Sequence, residues 1–169
     1  MAEEIINRVA NNKNLITFDL EEHYPNGERV LFDITGWLFE GFMLREKDFR
    51  KHVSDHDWSQ YQNKYVALSC STDAIIPGWA YLLLTSSLIP FAKKIAVGSL
   101  ENLETILYTS IINALDVSEY QDKLLIIKGC SNKPVPESAY IELIQKLQPI
   151  AKSIMYGEAC SSVPLFKRK

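Results

Sequence analysis

Three cysteines, each followed directly by a serine, are the residues of this chain best suited to chemistry. They are Cys70, Cys130 and Cys160. Thiolates bind zinc and other soft-ligand metals, and a thiolate is also the nucleophile of cysteine-dependent enzymes. An odd number of cysteines, none of them in a CxxC pair, argues against a disulfide framework. The first expectation is therefore a metal site or a reactive thiol.

A stretch that occurs twice places two of these cysteines in equivalent positions. Residues 57–98 resemble residues 116–157 in their Asp-x-Ser-x-Tyr-Gln segments, their Cys-Ser pairs and the prolines at Pro77 and Pro136. Self-similarity of this kind is typical of two copies of one supersecondary unit. We therefore predict an internal pseudo-duplication.

Strands that alternate with helices would position the cysteines. Tyr65–Ser69 reads as a buried strand before Cys70, and Leu124–Ile127 as its counterpart before Cys130. Pro77 and Pro136 stand where proline is favoured, in the first turn of a helix. This alternation predicts an α/β fold with a mostly parallel sheet and helices on both faces.

Outside the repeated strands and helices, the sequence predicts a hairpin and a tail. Arg29–Ile34 and Trp37–Leu44 flank a Thr-Gly turn and read as an N-terminal hairpin. Residues 157–169 read as a tail. The length of 169 residues predicts a single domain over 1–169.

Ligands bind at the edge formed by the carboxyl ends of parallel strands, where all three cysteines should lie. Three converging thiolates predict a divalent metal, with zinc as the first choice and iron as the second. His23 is one candidate for a fourth ligand, because a hairpin would bring the residues before Arg29 to the cysteine edge. Asp73 and Glu158, in the cysteine loops, are the other candidates.

Two alternatives stay open beside the metal. A metal-free enzyme would use Cys130 or Cys70, since a thiol in a strand-to-helix loop is favoured as a thiolate by the helix dipole. Neither loop has the arginine of a Cys-x5-Arg phosphatase, and no glycine-rich motif indicates a nucleotide cofactor. A non-catalytic interaction or oligomeric protein, including a homo-oligomer, is the third class. The sequence indicates neither a reaction nor a small-molecule substrate.

The composition of the chain argues against two classes of partner, nucleic acids and membranes. The net charge of −3, without a dense basic cluster inside the chain, argues against nucleic acid. The sequence contains no run of about 18 uncharged apolar residues that would span a membrane, and its first residues are acidic rather than those of a signal peptide. The expected location is therefore cytoplasmic.

Four segments together resemble one family. They are HDWSQYQ, CSTDAIIPGWAY, KGCSNKPVPESAY and SIMYGEACSSVPLFKRK. The chain resembles the bacterial domain-of-unknown-function family 2480 over essentially its whole length. The resemblance implies no activity, because the family has none assigned.

Overall fold

The computed structural model describes residues 15–129, 132–158 and 161–169. Within them the chain alternates strands with helices, so the predicted α/β class is confirmed. The strands are β1 (Leu15–Phe18), β2 (Arg29–Asp33), β3 (Tyr65–Ser69), β4 (Lys94–Val97), β5 (Leu124–Ile127), β6 (Ser153–Glu158) and β7 (Ser161–Lys167). The α-helices are α1 (Glu46–Asp55), α2 (Gly78–Leu88), α3 (Leu100–Ala114) and α4 (Glu137–Leu147).

The chain divides into two compact units, each with its own sheet. The central unit is Pro25–Leu107, and the terminal unit joins the residues up to Tyr24 with Tyr108–Lys169. The central unit has the strand order β2-β3-β4 and the terminal unit the order β1-β5-β6-β7. The described residues thus form two mostly parallel sheets where one was predicted. The single domain stays a prediction.

The sheet of the central unit is parallel, with β3 in the middle. Val66 and Leu68 of β3 belong to one apolar cluster with residues of α2, namely Ala80, Leu84 and Leu88. Tyr65 and Ala67, on the opposite face of the strand, belong to another cluster with the α3 residues Leu103 and Leu107. A strand covered on both faces is apolar at successive positions, which is why YVALS is recognisable in the sequence.

In the terminal unit, β5 lies between β1 and β6 and is parallel to both. Leu125 and Ile127 of β5 pack with three residues on one face of α4, namely Ala139, Leu143 and Leu147. Tyr108 is buried in the same cluster, and its hydroxyl donates to Leu20 O at 3.1 Å. This bond satisfies a polar group that burial would otherwise make costly.

The predicted N-terminal hairpin, Arg29–Ile34 with Trp37–Leu44, is not formed. β2 pairs in parallel with β3 instead. A 3-10 helix over Ile34–Trp37 follows β2 directly, and the Asp33 carboxylate caps it by accepting from Thr35 N at 3.0 Å. The capped turn leads the chain away from β2 at the point where a hairpin would return beside it.

The segment predicted as a tail, residues 157–169, contains the end of β6 and the whole of the edge strand β7. β7 pairs antiparallel with β6, and the register shifts between Ile154 and Met155. Pro164, which has no N–H to donate, lies opposite Met155 at this irregularity. Edge strands and bulges are the places where a sheet tolerates proline.

The two units have similar local structure. In each, a short strand is followed by an aspartate-capped 3-10 helix, and a strand-helix-strand segment comes later. Asn63 and Asp122, just before β3 and β5, have φ of 61° and 57°. Gly98 and Gly157 have φ of 120° and 121°, a region that glycine adopts without strain. The internal duplication of the sequence stays a prediction.

Candidate functional site

The described cysteine, Cys70, lies at the carboxyl edge of the sheet in the central unit. It follows Ser69, the last residue of β3, and the register pairs Ser69 with Asp33, the last residue of β2. Neighbouring parallel strands therefore bring the aspartate and the thiol to the same edge. Sequence reasoning predicted this edge for Cys70 but not the presence of Asp33 beside it.

Asp33 organises the loop that carries Cys70. Its Oδ1 accepts hydrogen bonds from Thr35 N at 3.0 Å, Thr35 Oγ1 at 2.7 Å and Ser71 N at 3.2 Å. Donation from the Ser71 side chain first, and from Thr35 next, lowers the pKa of Asp33 to about 2. The carboxylate is therefore ionised at neutral pH and fastens the start of the Cys70 loop to the end of β2.

The Cys70 thiol is half-buried and surrounded by hydroxyl groups. Its Sγ lies 3.5 Å from Thr72 Oγ1, 3.5 Å from Thr72 O and 3.6 Å from Thr35 Oγ1. Burial raises the pKa of the thiol, and the Asp33 charge also raises it. Hydrogen bonds from the side chain and backbone of Thr72 and from Thr35 outweigh both, so that the Cys70 pKa lies below its ordinary value.

Each threonine hydroxyl has one hydrogen, so it can donate to only one acceptor at a time. Thr72 Oγ1 donates to Gly41 O at 2.8 Å, and Thr35 Oγ1 donates to Asp33. A protonated thiol therefore donates its own hydrogen to Thr72. When Cys70 ionises, the threonine hydroxyls can turn toward the sulfur, while Asp33 keeps the bonds from the backbone N–H groups of Thr35 and Ser71. Stabilisation of the thiolate by rotation of these hydroxyls therefore exchanges their bonds to Gly41 O and Asp33 for bonds to the sulfur.

Three further features surround the thiol. Cys70 packs against the apolar cluster formed by β2, β3, α1 and α2. Burial first, and the nearby Cys70 second, raise the pKa of Tyr81. Asp73, predicted as a metal ligand, lies exposed in the loop after Cys70. The thiol thus has one apolar side, a tyrosine and a polar loop around it.

Cys130 and Cys160 fall outside the described residues, so their predicted positions stay predictions. The described residues before them belong to neighbouring parallel strands: β5 precedes Cys130 and β6 precedes Cys160. Gly129 O accepts a hydrogen bond from the hydroxyl of Tyr156 at 3.3 Å. Glu158, a predicted ligand, is exposed at the end of β6.

His23 reaches the carboxyl edge of the terminal unit by another route than the one predicted. The hairpin argument is wrong, but His23 ends the 3-10 helix that follows β1, which is parallel to β5. Its ring stacks on Phe18 at 5.1 Å between centroids. Nearby, Lys128 donates to Asp19 Oδ2 at 2.7 Å, and Glu21 Oε2 accepts from Asn132 N at 2.9 Å.

No group of three or more histidine, cysteine, aspartate or glutamate side chains that could hold a metal occurs among residues 15–129, 132–158 and 161–169. The predicted ligands Cys70 and Asp73 belong to the central unit, whereas His23 and Glu158 belong to the terminal unit. Among the described residues, the polar neighbours of Cys70 are the hydroxyls of Thr35 and Thr72, the Thr72 carbonyl oxygen and the Asp33 carboxylate.

Sequence reasoning missed three residues of this site, namely Asp33, Thr35 and Thr72. The Asp-x-Thr pattern at the end of an apolar run is the signal that could have found the first two, because aspartate commonly accepts from the N–H two residues later. The Asp33 side chain was instead read as part of a hairpin strand. Thr72 carries no such signal, since its contact with Gly41 joins loops 31 residues apart.

The family profile described as "Protein of unknown function (DUF2480)" matches residues 3–168. The chain belongs to this family. The match confirms the resemblance noted from the Cys-Ser segments, and in this member of the DUF2480 family the described Cys-Ser pair lies at a sheet edge. Searches of curated proteins and of solved structures found no significant match. No helix of the described residues is long and apolar enough to cross a bilayer.

Proposed function

We propose that this chain is a thiol-dependent enzyme in which Cys70 is the nucleophile. The observation that carries the proposal is the pair of hydroxyl groups beside Cys70 Sγ, Thr72 Oγ1 at 3.5 Å and Thr35 Oγ1 at 3.6 Å. Hydrogen-bond donors favour the charged form of an acid, and the thiolate is the reactive form of cysteine. The same loop position, at the carboxyl end of parallel strands, is where α/β proteins commonly bind ligands.

The residues around the thiol are consistent with a first step in which the Cys70 thiolate attacks the substrate. The ionised Sγ forms a bond to an electrophilic atom of the substrate, and the leaving group departs with its bonding electrons. The sulfur then no longer carries a negative charge, so the hydroxyls of Thr72 and Thr35 turn back to Gly41 O and Asp33. Both acceptors are already in place at 2.8 Å and 2.7 Å, so that little rearrangement accompanies the step.

Selective alkylation tests this proposal. The protein is treated with a limiting amount of iodoacetamide at neutral pH, and each cysteine peptide is quantified by mass spectrometry. We expect Cys70 to be modified before Cys130 and Cys160. Faster modification of Cys130 would transfer the proposal to that residue, and uniformly slow modification of all three would refute a reactive thiol. The proposal includes a cytoplasmic location, where free thiols stay reduced.

A divalent metal held by Cys70, Cys130 and Cys160, zinc first and iron second, is our second proposal. It is supported by the neighbouring positions of β5 and β6, the strands that precede Cys130 and Cys160. Elemental mass spectrometry of untagged protein tests it. About one equivalent of metal that is lost in the triple Cys→Ser variant would support this proposal. Metal-free, folded protein purified from zinc-supplemented cells would refute it.

A further inference from the structure

Helix α2 of the central unit has an unusual surface. Its sequence, GWAYLLLTSSL, contains no charged residue. One face is buried in the central unit through Ala80, Leu84 and Leu88. A helix at a protein surface normally carries charged or strongly polar residues on its outer face. The outer face of α2 therefore requires an explanation other than core packing.

That outer face exposes large apolar side chains. Leu82 is 71% exposed, and Ile75 and Ile89, which flank the helix, are 93% and 66% exposed. The small residues Gly78 and Ser86 lie between them and are also exposed. Contiguous exposed apolar surface on a soluble domain is typical of an interaction site.

Helix α4 of the terminal unit provides the comparison. It has the same length, and it also follows a proline that caps its N-terminus. It exposes one large apolar side chain, Ile141 at 60%, but it carries the charged residues Glu137, Glu142 and Lys146. The absence of charge is thus a property of α2 and does not follow from this type of helix.

The exposed residues around α2 have a symmetric spacing. Counted from Leu82, Gly78 and Ser86 lie four positions before and after, while Ile75 and Ile89 lie seven positions before and after. Two such helices packed antiparallel about a two-fold axis at Leu82 would place leucine against leucine. Small residues would then oppose small residues. Ile89 would face the segment before Pro77 of the other copy, which is extended rather than helical and contains the exposed Ile75. A two-fold interface uses the same patch on both copies, so the patch must complement itself.

We infer that this face, Ile75, Gly78, Leu82, Ser86 and Ile89, is the contact between two copies of the chain. Its neutrality favours a second copy, because two molecules of net charge −3 meet there without like charges facing each other. A lipid surface would be favoured by a cluster of lysine or arginine beside the apolar residues. Residues 75–89 contain neither, and Arg50, which lies over the Trp79 ring of α2, is paired with Glu46. Five residues per copy form a small interface, so we expect a reversible dimer whose population depends on protein concentration.

Sedimentation velocity of the full chain over a concentration series tests the inference. We expect wild type to shift from monomer to dimer, and Leu82→Glu to stay monomeric because two carboxylates would face each other at the axis. Ile141→Glu on α4 is the matched control and should dimerise like wild type. Far-UV circular dichroism of each variant verifies folding, which an exposed position should tolerate.

A mixing experiment tests the two-fold axis itself. Leu82→Lys alone should also be monomeric, whereas an equimolar mixture with Leu82→Glu should form heterodimers through the opposed charges. Wild type that stays monomeric at the highest soluble concentration would overturn the inference. A dimer that survives Leu82→Glu, or one that Ile141→Glu also disrupts, would do the same. A mixture that stays monomeric would overturn the proposed axis.

Discussion

The backbone N–H of Ser71 donates to Asp33 Oδ1 at 3.2 Å, so the residue directly after Cys70 is fastened to the end of the neighbouring strand. This bond joins positions 38 residues apart in the sequence. It holds the loop that presents the thiol and also places a negative charge near the sulfur. The electrostatic and the hydrogen-bonding effects of Asp33 and its neighbours can be separated by substitution.

Thr72→Val should raise the pKa of Cys70. The change removes the hydroxyl that lies 3.5 Å from Sγ, and loss of a hydrogen bond to the thiolate is expected to shift the pKa by roughly one unit. The measurement is the pH dependence of the alkylation rate in a background with Cys130→Ser and Cys160→Ser. Thr72→Ser keeps the hydroxyl and is the control. Equal pH profiles for the two variants would contradict the role of the hydroxyl.

Asp33→Asn should lower the pKa of Cys70, in the opposite direction to Thr72→Val. The charge of Asp33 raises the pKa of the thiol, and asparagine removes that charge while its side-chain oxygen can still accept from the backbone. The same pH–rate measurement should therefore show faster alkylation below the pKa of the wild-type thiol. Asp73→Asn, an exposed change in the same loop, should leave the profile unchanged. A higher pKa in Asp33→Asn would show that loop anchoring outweighs the charge.

Glu104→Gln should destabilise the fold strongly. Arg29 Nε donates to Glu104 Oε1 at 2.6 Å, and the two side chains are only 10% and 7% exposed. Removing one partner of a buried ion pair leaves an uncompensated charge and costs about 3–5 kcal/mol. Urea-induced unfolding measures the change. Glu46→Gln breaks the exposed pair with Arg50 and should cost less than about 1 kcal/mol. Comparable losses in both variants would contradict the importance of burial.

Stability should fall as His56 becomes protonated. His56 is packed among aromatic rings, and burial lowers its pKa below the ordinary histidine value of 6.5, although the Asp57 charge opposes the shift. The unfolded chain therefore binds the proton first. The contribution of neutral His56 is complete above pH 6.5 and is lost as the pH falls through the lower pKa of the folded state. Chemical denaturation between pH 7.5 and 5, roughly the range in which histidine titrates, measures this loss.

His56→Phe should reduce that pH dependence, because phenylalanine keeps the aromatic packing but does not titrate. His52→Gln is the control, since His52 is exposed and stacks on one face of Trp37. It should retain the wild-type slope. A His56→Phe variant with an unchanged slope would assign the effect to other groups.

Local patterns were sufficient for much of the secondary structure. β3 and β5 are apolar runs without interruption, and α2 and α4 begin directly after prolines, so each was predicted within a few residues of its observed bounds. Helix α3, Leu100–Ala114, has Leu103 and Leu107 at the spacing of one helical turn. Each of these strands and helices is determined by residues within it or next to it in the sequence.

The pairing of strands could not be derived in that way. The sequence of Asp33 and Thr35 is compatible with a hairpin turn and also with the N-cap of a 3-10 helix. Only the parallel pairing of β2 with β3 shows which of these two structures forms. β7 contains Pro164 and alternates weakly, so its place beside β6 depends on a register shift that no short segment encodes. These elements are decided by contacts with distant residues.

By itself, the sequence determined the family, the α/β class and the position of Cys70 just after a buried strand, because periodicity, prolines and Cys-Ser motifs are local properties. The tertiary structure decided that the strands form two sheets and that Cys70 has Asp33, Thr35 and Thr72 as neighbours. A thiol is tuned by charges and donors within a few ångströms, and strands that are distant in the chain bring these groups together.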